Sequence, residues 1–304
     1  VFPVTVTVLV PDEHGVAALA GVEGIRVLAH SPELPPDGVD AQVLVPDFLG
    51  GSAIALLDRL PDLRLVQLLT TGADSWVGKL PPHIMLSTGR GAHGGSTAEW
   101  VVGALLAVYR ELIDFDIARR AGQWTPHITD TLQDKRILVI GAGDLGQQLH
   151  RRLDAFDAHT TLVGSQARAG VRGIDEVADL LPGHDAVVLM VPLTPATTGL
   201  VDAAFLARMR DGAILVNAAR GPVVDADALL AELTSGRLRA ALDVTDPEPL
   251  PPGHPLWTAP NVLITPHVAG SCHGHRERAY RVAAAEITRF VNGENPRNLV
   301  KGLY

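Results

Sequence analysis

Cys272 is the only cysteine among 304 residues, which excludes an intrachain disulfide framework and fits a reducing compartment, the cytoplasm by default. Blocks of like charge are also missing. The formal net charge of −9 is spread over interleaved acids and bases, so neither nucleic acid nor an anionic membrane surface is implied as a partner. No stretch approaches the roughly 18 to 20 apolar residues of a membrane-crossing helix, because glycine, proline or charge interrupts every candidate. The apolar start from Val1 to Val10 has no basic leader and runs directly into Asp12 and Glu13, so it reads as a strand rather than a targeting segment. There is no internal repeat and no low-complexity segment. What remains, 47% hydrophobic and 19% charged residues, is enough for two ordinary cores, and two domains are expected.

From Thr5 to Leu86 short β-branched or Leu-rich runs (Val6 to Val10, Gly24 to Leu28, Ala41 to Val45, Leu65 to Leu68) alternate with helix-like stretches such as Ser52 to Leu60. Ser96 then precedes a proline-free run, Thr97 to Arg120, with Glu99 in its first turn, which predicts one long capped helix crossing between domains. A second series of strands follows at Ile137 to Ile140, Thr160 to Val163, Ala186 to Val191, Ala213 to Asn217 and Ala240 to Val244. Near-continuous apolar strands separated by helical stretches are what a parallel sheet covered on both faces requires. Pro247 to Pro260 reads as a loop, and a final helix from about Gly274 to Val291 is expected to fold back onto the first domain.

Ile137-Leu138-Val139-Ile140-Gly141-Ala142-Gly143-Asp144-Leu145-Gly146 places G-x-G-x-x-G directly after an apolar strand and at the mouth of a helix. Gly141 would make the tight turn, Gly143 let backbone approach a pyrophosphate, and Gly146 allow close helix–strand packing, with the helix N-terminus offering N–H groups to the anion. An acid at the end of the next strand would hold the adenosine ribose hydroxyls and reject a 2′-phosphate. Here the residues are Gly164, Ser165, Gln166, Ala167 and Arg168, and an arginine suits a phosphate. NADP(H) is therefore the preferred cofactor, with NAD(H) as the second choice. The plainer alternative for Arg168 and nearby Arg172 is a solvated loop cation.

Arg220, Glu248 and His267 each follow a strand of the second series, and ligands of open parallel sheets bind outside the carboxyl ends of the strands. An always-charged guanidinium can hold a carboxylate and polarise a carbonyl. A histidine titrates near neutrality and can give a proton to a forming alkoxide, and Glu248, between two prolines, can orient that imidazole.

The neighbouring stretches Asn217-Ala218-Ala219-Arg220-Gly221-Pro222-Val223-Val224-Asp225, Ala241-Leu242-Asp243-Val244-Thr245-Asp246-Pro247-Glu248-Pro249-Leu250 and Thr265-Pro266-His267-Val268-Ala269-Gly270 strongly resemble the D-isomer-specific 2-hydroxyacid dehydrogenase family in order and spacing. The likeness extends to Val191-Pro192-Leu193-Thr194-Pro195-Ala196-Thr197 and to Thr97-Ala98-Glu99. It implies Arg220 as substrate binder and polariser, His267 as acid/base and Glu248 as its partner. It also implies cofactor contacts from Thr97, Asp144, Leu145, Val191, Pro192, Thr197, Ala218, Arg220, Asp243, His267 and Gly270, beside those from the glycine turn, Gly164, Ser165 and Arg168. Asp243 would hold the nicotinamide carboxamide. Thr70-Thr71-Gly72-Ala73-Asp74 resembles, more loosely, the loop that takes the substrate carboxylate, which points to Thr71, Gly72 and Ala73; Asp74 reads as a helix cap.

Gly164 departs from the aspartate of NAD-dependent members. The carboxylate at Glu248, where the formate-oxidising branch has an amide, favours 2-oxo acids, and glyoxylate and hydroxypyruvate reductases are the most similar branch. The expected architecture is α/β, two doubly wound parallel-sheet domains: a flavodoxin-like substrate domain, 1–93 and 273–304, into which a Rossmann dinucleotide domain, 94–272, is inserted, with the active cleft between them. A homodimer is expected, with tryptophans such as Trp76, Trp100, Trp124 and Trp257 serving core or interface. The rival readings are a dinucleotide-sensing co-repressor, against which stands the lack of an appended interaction tail, and formate or phosphite oxidation. Cys272-His273-Gly274-His275 fits no zinc spacing, and no metal is expected.

Overall fold

The structure, a computed structural model, describes residues 5–30, 39–48 and 51–302; the apolar start at 1–4 lies outside them. The first elements are β1 (Val6–Val10), α1 (Glu13–Leu19), β2 (Ile25–Ala29), β3 (Val43–Leu44), β4 (Leu65–Gln67) and β5 (Met85–Ser87). There follow α2 (Gly94–Tyr109), α3 (Leu112–Arg120), β6 (Arg136–Ile140), α4 (Asp144–Asp154), β7 (His159–Gly164), β8 (Arg172–Gly173), α5 (Val177–Leu180) and β9 (Ala186–Leu189). The chain ends with α6 (Ala203–Arg208), β10 (Ile214–Asn217), α7 (Ala226–Thr234), β11 (Arg239–Leu242), β12 (Val262–Ile264) and α8 (His275–Val291). It divides into two compact units, one of Val1–His93 with His273–Tyr304, the other of Gly94–Cys272.

Each unit holds one parallel sheet. In the first the order is β2-β1-β3-β4-β5 and in the second β12-β11-β10-β9-β6-β7-β8. Counted within its own unit, the first is the 2-1-3-4-5 order of flavodoxin-like sheets. The second is the Rossmann order with one added strand, reversing direction between β6 and β9. The apolar runs explain why: β9 and β10 are buried at every residue, which is affordable only where helices cover both faces. Leu138, Ile140, Val187, Leu189 and Leu215 face one core of the second unit, while Ile137, Val139, Val188 and Val216 face the other with α2 and α4. Each such side chain contributes about 1.5 to 3 kcal/mol by its burial. Exposed pairs such as Arg119 and Arg120 with Asp116 contribute about 0 to 1 kcal/mol each, so the sheets, not the surface charges, hold the units.

Two local expectations are corrected. The run from Thr97 to Arg120 is two helices, α2 and α3, and Ser96 lies inside the first turn rather than capping it. Tyr109 closes the inner face of α2, its ring buried and faced by Lys135 and Arg239. Beyond it the side chains meet no core, since none of α3 is buried, and the chain turns at Glu111 with φ 50°. Asp74 caps no helix, because 74–79 is a series of turns. Among the described residues no helix is long and apolar enough to cross a membrane.

His184, just before β9, is buried at 1% exposure. Its Nδ1 donates to the Leu180 carbonyl at 2.7 Å, and its Nε2 accepts from the Thr161 hydroxyl at 2.9 Å. Burial, with Arg136 adding to it, pushes this imidazole below its ordinary value of 6.5. The folded state therefore binds the proton less readily than the unfolded chain. The contribution to stability is complete above about pH 6.5 and is lost as pH falls through the lower folded value. The urea midpoint is expected to drop between about pH 7.5 and pH 5, and a His184→Gln variant to show a flatter profile over that range; equal slopes would contradict the assignment.

Candidate active site

The turn after β6 is built by exclusion of side chains. Gly141 has φ 119°, and a Cβ there would run into the Met190 carbonyl, while a Cβ on Gly146 would run into the carbonyl of Gly141. Only hydrogen at both positions lets β6, the turn and α4 approach so closely. Gly143, the residue before α4, is exposed, has no side-chain cap and meets nothing within 4 Å of its own missing Cβ. A glycine cradle open on this side, at the N-terminus of an 11-residue helix, fits the pyrophosphate of a dinucleotide. Asp144 opens the helix with its carboxylate beside Gly94 and Gln148, so the N–H groups of Asp144 and Leu145, rather than their side chains, are what the turn offers.

At the end of β7 the guanidinium of Arg168 donates to the Ala142 carbonyl at 3.0 Å and lies over Gly164, where an added Cβ would stand 2.7 Å from Nη1. Mutual backbone hydrogen bonds between Arg168 and Val171, both 2.9 Å, hold it there. A cavity of about 450 Å³ is lined by Arg168, Arg172, Val171 and Glu176 among others. Arg172 pairs with Glu176 at 3.1 Å, leaving the lining with a net positive charge. Ser165 is exposed at the same strand end.

The residues expected to carry the chemistry follow the carboxyl ends of three adjacent strands. After β10, buried Asn217 accepts from Ala219 N–H and donates to the Arg220 carbonyl, both at 3.0 Å. The Arg220 guanidinium touches the Ala219 carbonyl at 2.7 Å. Gly221 permits this loop to lie against the Thr245 carbonyl, which a Cβ would strike. After β11 comes Asp243, buried at 3%, and then Glu248, whose segment is tied by the Thr245 hydroxyl donating to the Pro247 carbonyl at 2.9 Å. After β12 comes His267, whose Nδ1 lies 2.6 Å from Glu248 Oε1. The two side chains remain 48% and 40% exposed, so the far ring nitrogen can reach a ligand.

The structure thus brings Glu248 and His267 into contact and sets Arg220 one strand beyond Glu248. Thr197 uses its hydroxyl within its own loop, accepting from Thr194 N–H at 2.8 Å and donating to the Pro192 carbonyl at 2.6 Å. Val191, Pro192 and Ala218 lie at the ends of β9 and β10, Gly270 in the turn after His267, and Thr97 buried in the first turns of α2. In the first unit, Thr71 and Gly72 are half-buried at the carboxyl end of β4, and Ala73 is fully buried. His93 supports that loop by donating to the Leu69 carbonyl at 2.8 Å. Asn217 and Thr265 escaped the sequence reading, although a polar residue closing an all-apolar strand was a usable signal for the first. Among the described residues no group of three or more His, Cys, Asp or Glu converges as for a metal.

An open parallel sheet with a glycine turn at its reversal point and a polar strand-end edge defines a dinucleotide-binding fold. The family model for the D-isomer-specific 2-hydroxyacid dehydrogenase NAD-binding domain matches residues 102–269. A glyoxylate reductase of Thermofilum pendens is 34% identical, over 81% of this chain and 77% of its own. A glyoxylate/hydroxypyruvate reductase B of Citrobacter koseri is 32% identical over 86% of both chains. Among solved structures, a D-isomer-specific 2-hydroxyacid dehydrogenase from Xanthobacter autotrophicus in complex with NADPH and MES superposes with a TM-score of 0.82 at 31% identity, covering 98% of this chain and 100% of that one. An NADPH-dependent glyoxylate/hydroxypyruvate reductase from Sinorhizobium meliloti, in complex with NADP and sulfate, gives 0.83 at 28% identity, covering 97% and 98%. The chain belongs to the D-isomer-specific 2-hydroxyacid dehydrogenase family, and it is an oxidoreductase.

Gly141→Ala combines a left-handed backbone with a collision against carbonyl. It is expected to cost about 2 kcal/mol or more in urea unfolding and to weaken NADPH binding by at least about tenfold, measured by quenching of tryptophan fluorescence. Parental binding would show that the turn is not the cradle.

Proposed function

We propose that the protein reduces a small 2-oxo acid, of the glyoxylate or hydroxypyruvate type, to the D-2-hydroxy acid with NADPH, NADH being the poorer donor. The observation that carries this reading is the 2.6 Å contact between His267 Nδ1 and Glu248 beside the Arg220 loop, on the carboxyl edge of the dinucleotide sheet. The reduced nicotinamide, when bound, supplies the hydride. Arg220 holds the substrate carboxylate and draws charge from the carbonyl. Glu248 accepts a hydrogen bond from Nδ1–H of the His267 imidazolium, which fixes the ring and leaves Nε2–H to give its proton to the carbonyl oxygen as that oxygen gains charge. Thr71, Gly72 and Ala73 are the substrate loop of the first unit, whose role is substrate binding, while the second unit carries the dinucleotide. One hydride and one proton are consumed for each hydroxy acid formed.

The preference for NADPH is supported by Arg168 held over Gly164 and by the cationic lining with Arg172. An aspartate at 164 would collide with that guanidinium or neutralise it. The relatives' names support the substrate class, and the single cysteine supports the cytoplasm. The decisive comparison is of initial rates with NADPH and NADH on glyoxylate, hydroxypyruvate, pyruvate and phenylpyruvate. His267→Ala should lower kcat by about 10² to 10⁴ with dinucleotide affinity retained. Arg168→Ala should erode the NADPH preference by about 10- to 100-fold, the worth of a charge-assisted hydrogen bond. An active His267→Ala, or an Arg168→Ala that keeps its preference, removes the corresponding assignment.

The active form is a homodimer. Leu112, Ile113 and Ile117 of α3 are 53%, 52% and 60% exposed, and Trp124 and Ile128 that follow are 94% and 99% exposed. So many large apolar side chains in one short stretch mark an interaction surface, which a second copy covers. Light scattering should give twice the chain mass for the parent and a lower mass for Ile117→Glu; a parent of single-chain mass at tens of micromolar would refute the dimer.

A further inference from the structure

We infer that Asp243, acting with Thr265, is the positioning residue that holds His267 in place; this rests on His267 being the proton donor. His267 has φ 54°, a left-handed conformation that a non-glycine residue keeps only when its surroundings impose it. Those surroundings converge on one residue of the neighbouring strand. The Asp243 carbonyl accepts the His267 N–H at 2.7 Å. Its Oδ1 accepts from the Thr265 hydroxyl at 2.6 Å and from Val268 N–H at 2.9 Å, and its Oδ2 accepts from Ala269 N–H at 2.9 Å. The chain is thereby gripped two residues before the histidine, at the histidine and at both residues after it.

The chemistry of the anchor matches what it has to hold. Asp243 faces donors only, a hydroxyl and two backbone N–H groups, and a carboxylate is the side chain that only accepts. Asn217, on the next strand, faces one N–H and one carbonyl of the Arg220 loop, and there an amide, which donates and accepts, stands instead. Asp243→Asn would turn an NH₂ toward a buried donor. With three donors on two oxygens the carboxylate keeps acceptor capacity, so an additional contact to the nicotinamide carboxamide is compatible with this role. Thr265 is placed in neither the cofactor nor the substrate machinery, and its hydroxyl serves the anchor alone, which makes it the position to test.

The test compares Thr265→Val with Thr265→Ser. In Thr265→Val kcat is expected to fall by about tenfold or more, as loss of alignment at a reacting group does. The KM for glyoxylate and the NADPH affinity should stay within about twofold, and Thr265→Ser should recover most of the rate. Independently of turnover, carbethoxylation of His267 by diethyl pyrocarbonate in the cofactor-free protein, followed by peptide mass spectrometry, should differ by at least about threefold between Thr265→Val and Thr265→Ser, because the contact with Glu248 sets the orientation and nucleophilicity of the ring. Parental kcat and parental carbethoxylation in Thr265→Val would overturn the inference. So would a loss of NADPH affinity as large as the loss of kcat, which would assign the effect to the cofactor. A parent inert toward every 2-oxo acid would refute the functional reading alone, and the carbethoxylation rates would still decide the anchor.

Discussion

Backbone touching backbone around Gly141 is the constraint on which the dinucleotide unit depends. The carbonyls of Met190 and Gly141 occupy the volume that side chains at positions 141 and 146 would need, so β6, its neighbour β9 and α4 are locked at a spacing only hydrogen allows. That spacing points the start of α4 along the reversal in strand order, where a parallel sheet has no connection in the way of a ligand. Beyond β9 the buried strands β10 and β11 then act as rigid arms. Their apolar faces fix them in depth, and the polar residues at their carboxyl ends, Asn217 in β10 and Asp243 just after β11, reach into the loops beyond. The loops that carry Arg220 and His267 are thus tied to the stiffest part of the fold.

Charge is used sparingly and each use is local. Arg168 takes the space that a side chain on Gly164 would fill, so the absence of a side chain and the presence of a cation are one device. Glu248 and His267 stay half in water, where a 2.6 Å contact orients a ring without the large desolvation cost of a buried pair. Asp243 is the opposite case, a carboxylate deep in protein, and it is satisfied by N–H and O–H donors rather than by a cation. The distribution suits a site that must accept an anionic substrate and still release its product.

Much of this was legible beforehand, and for physical reasons. Runs such as Ala186 to Val191 can only be interior strands, and G-x-G-x-x-G between such a strand and a helix has few other uses. Arg220, Glu248 and His267 stood out because each follows a strand of the second series. What could not be read depended on tertiary contacts. The break at Glu111 arises because burial ends with Tyr109, and periodicity within the run does not reveal where a core stops. The direction of Arg168 is set by a four-residue turn whose hydrogen bonds leave no mark in composition. Thr265 looked like one more residue after a strand; its partner, 22 positions away, appears only once β11 and β12 lie side by side.

The first unit is discontinuous, and that has a consequence for its birth. Tyr280, Ala283 and Ile287 of α8 belong to the same core as Val8 and Val10 of β1, and Arg276 pairs with Asp12 across 264 positions of chain. Closing so long a loop adds little to the equilibrium cost, which grows only with the logarithm of length, but on the ribosome it imposes an order. The strands emerge first and must keep an apolar face uncovered while about 180 further residues are made. The contiguous dinucleotide unit, translated later, has its whole core in hand before synthesis ends. The older half of the nascent chain is therefore the last to be finished, and exposure to aggregation and demand for chaperones during translation fall on it.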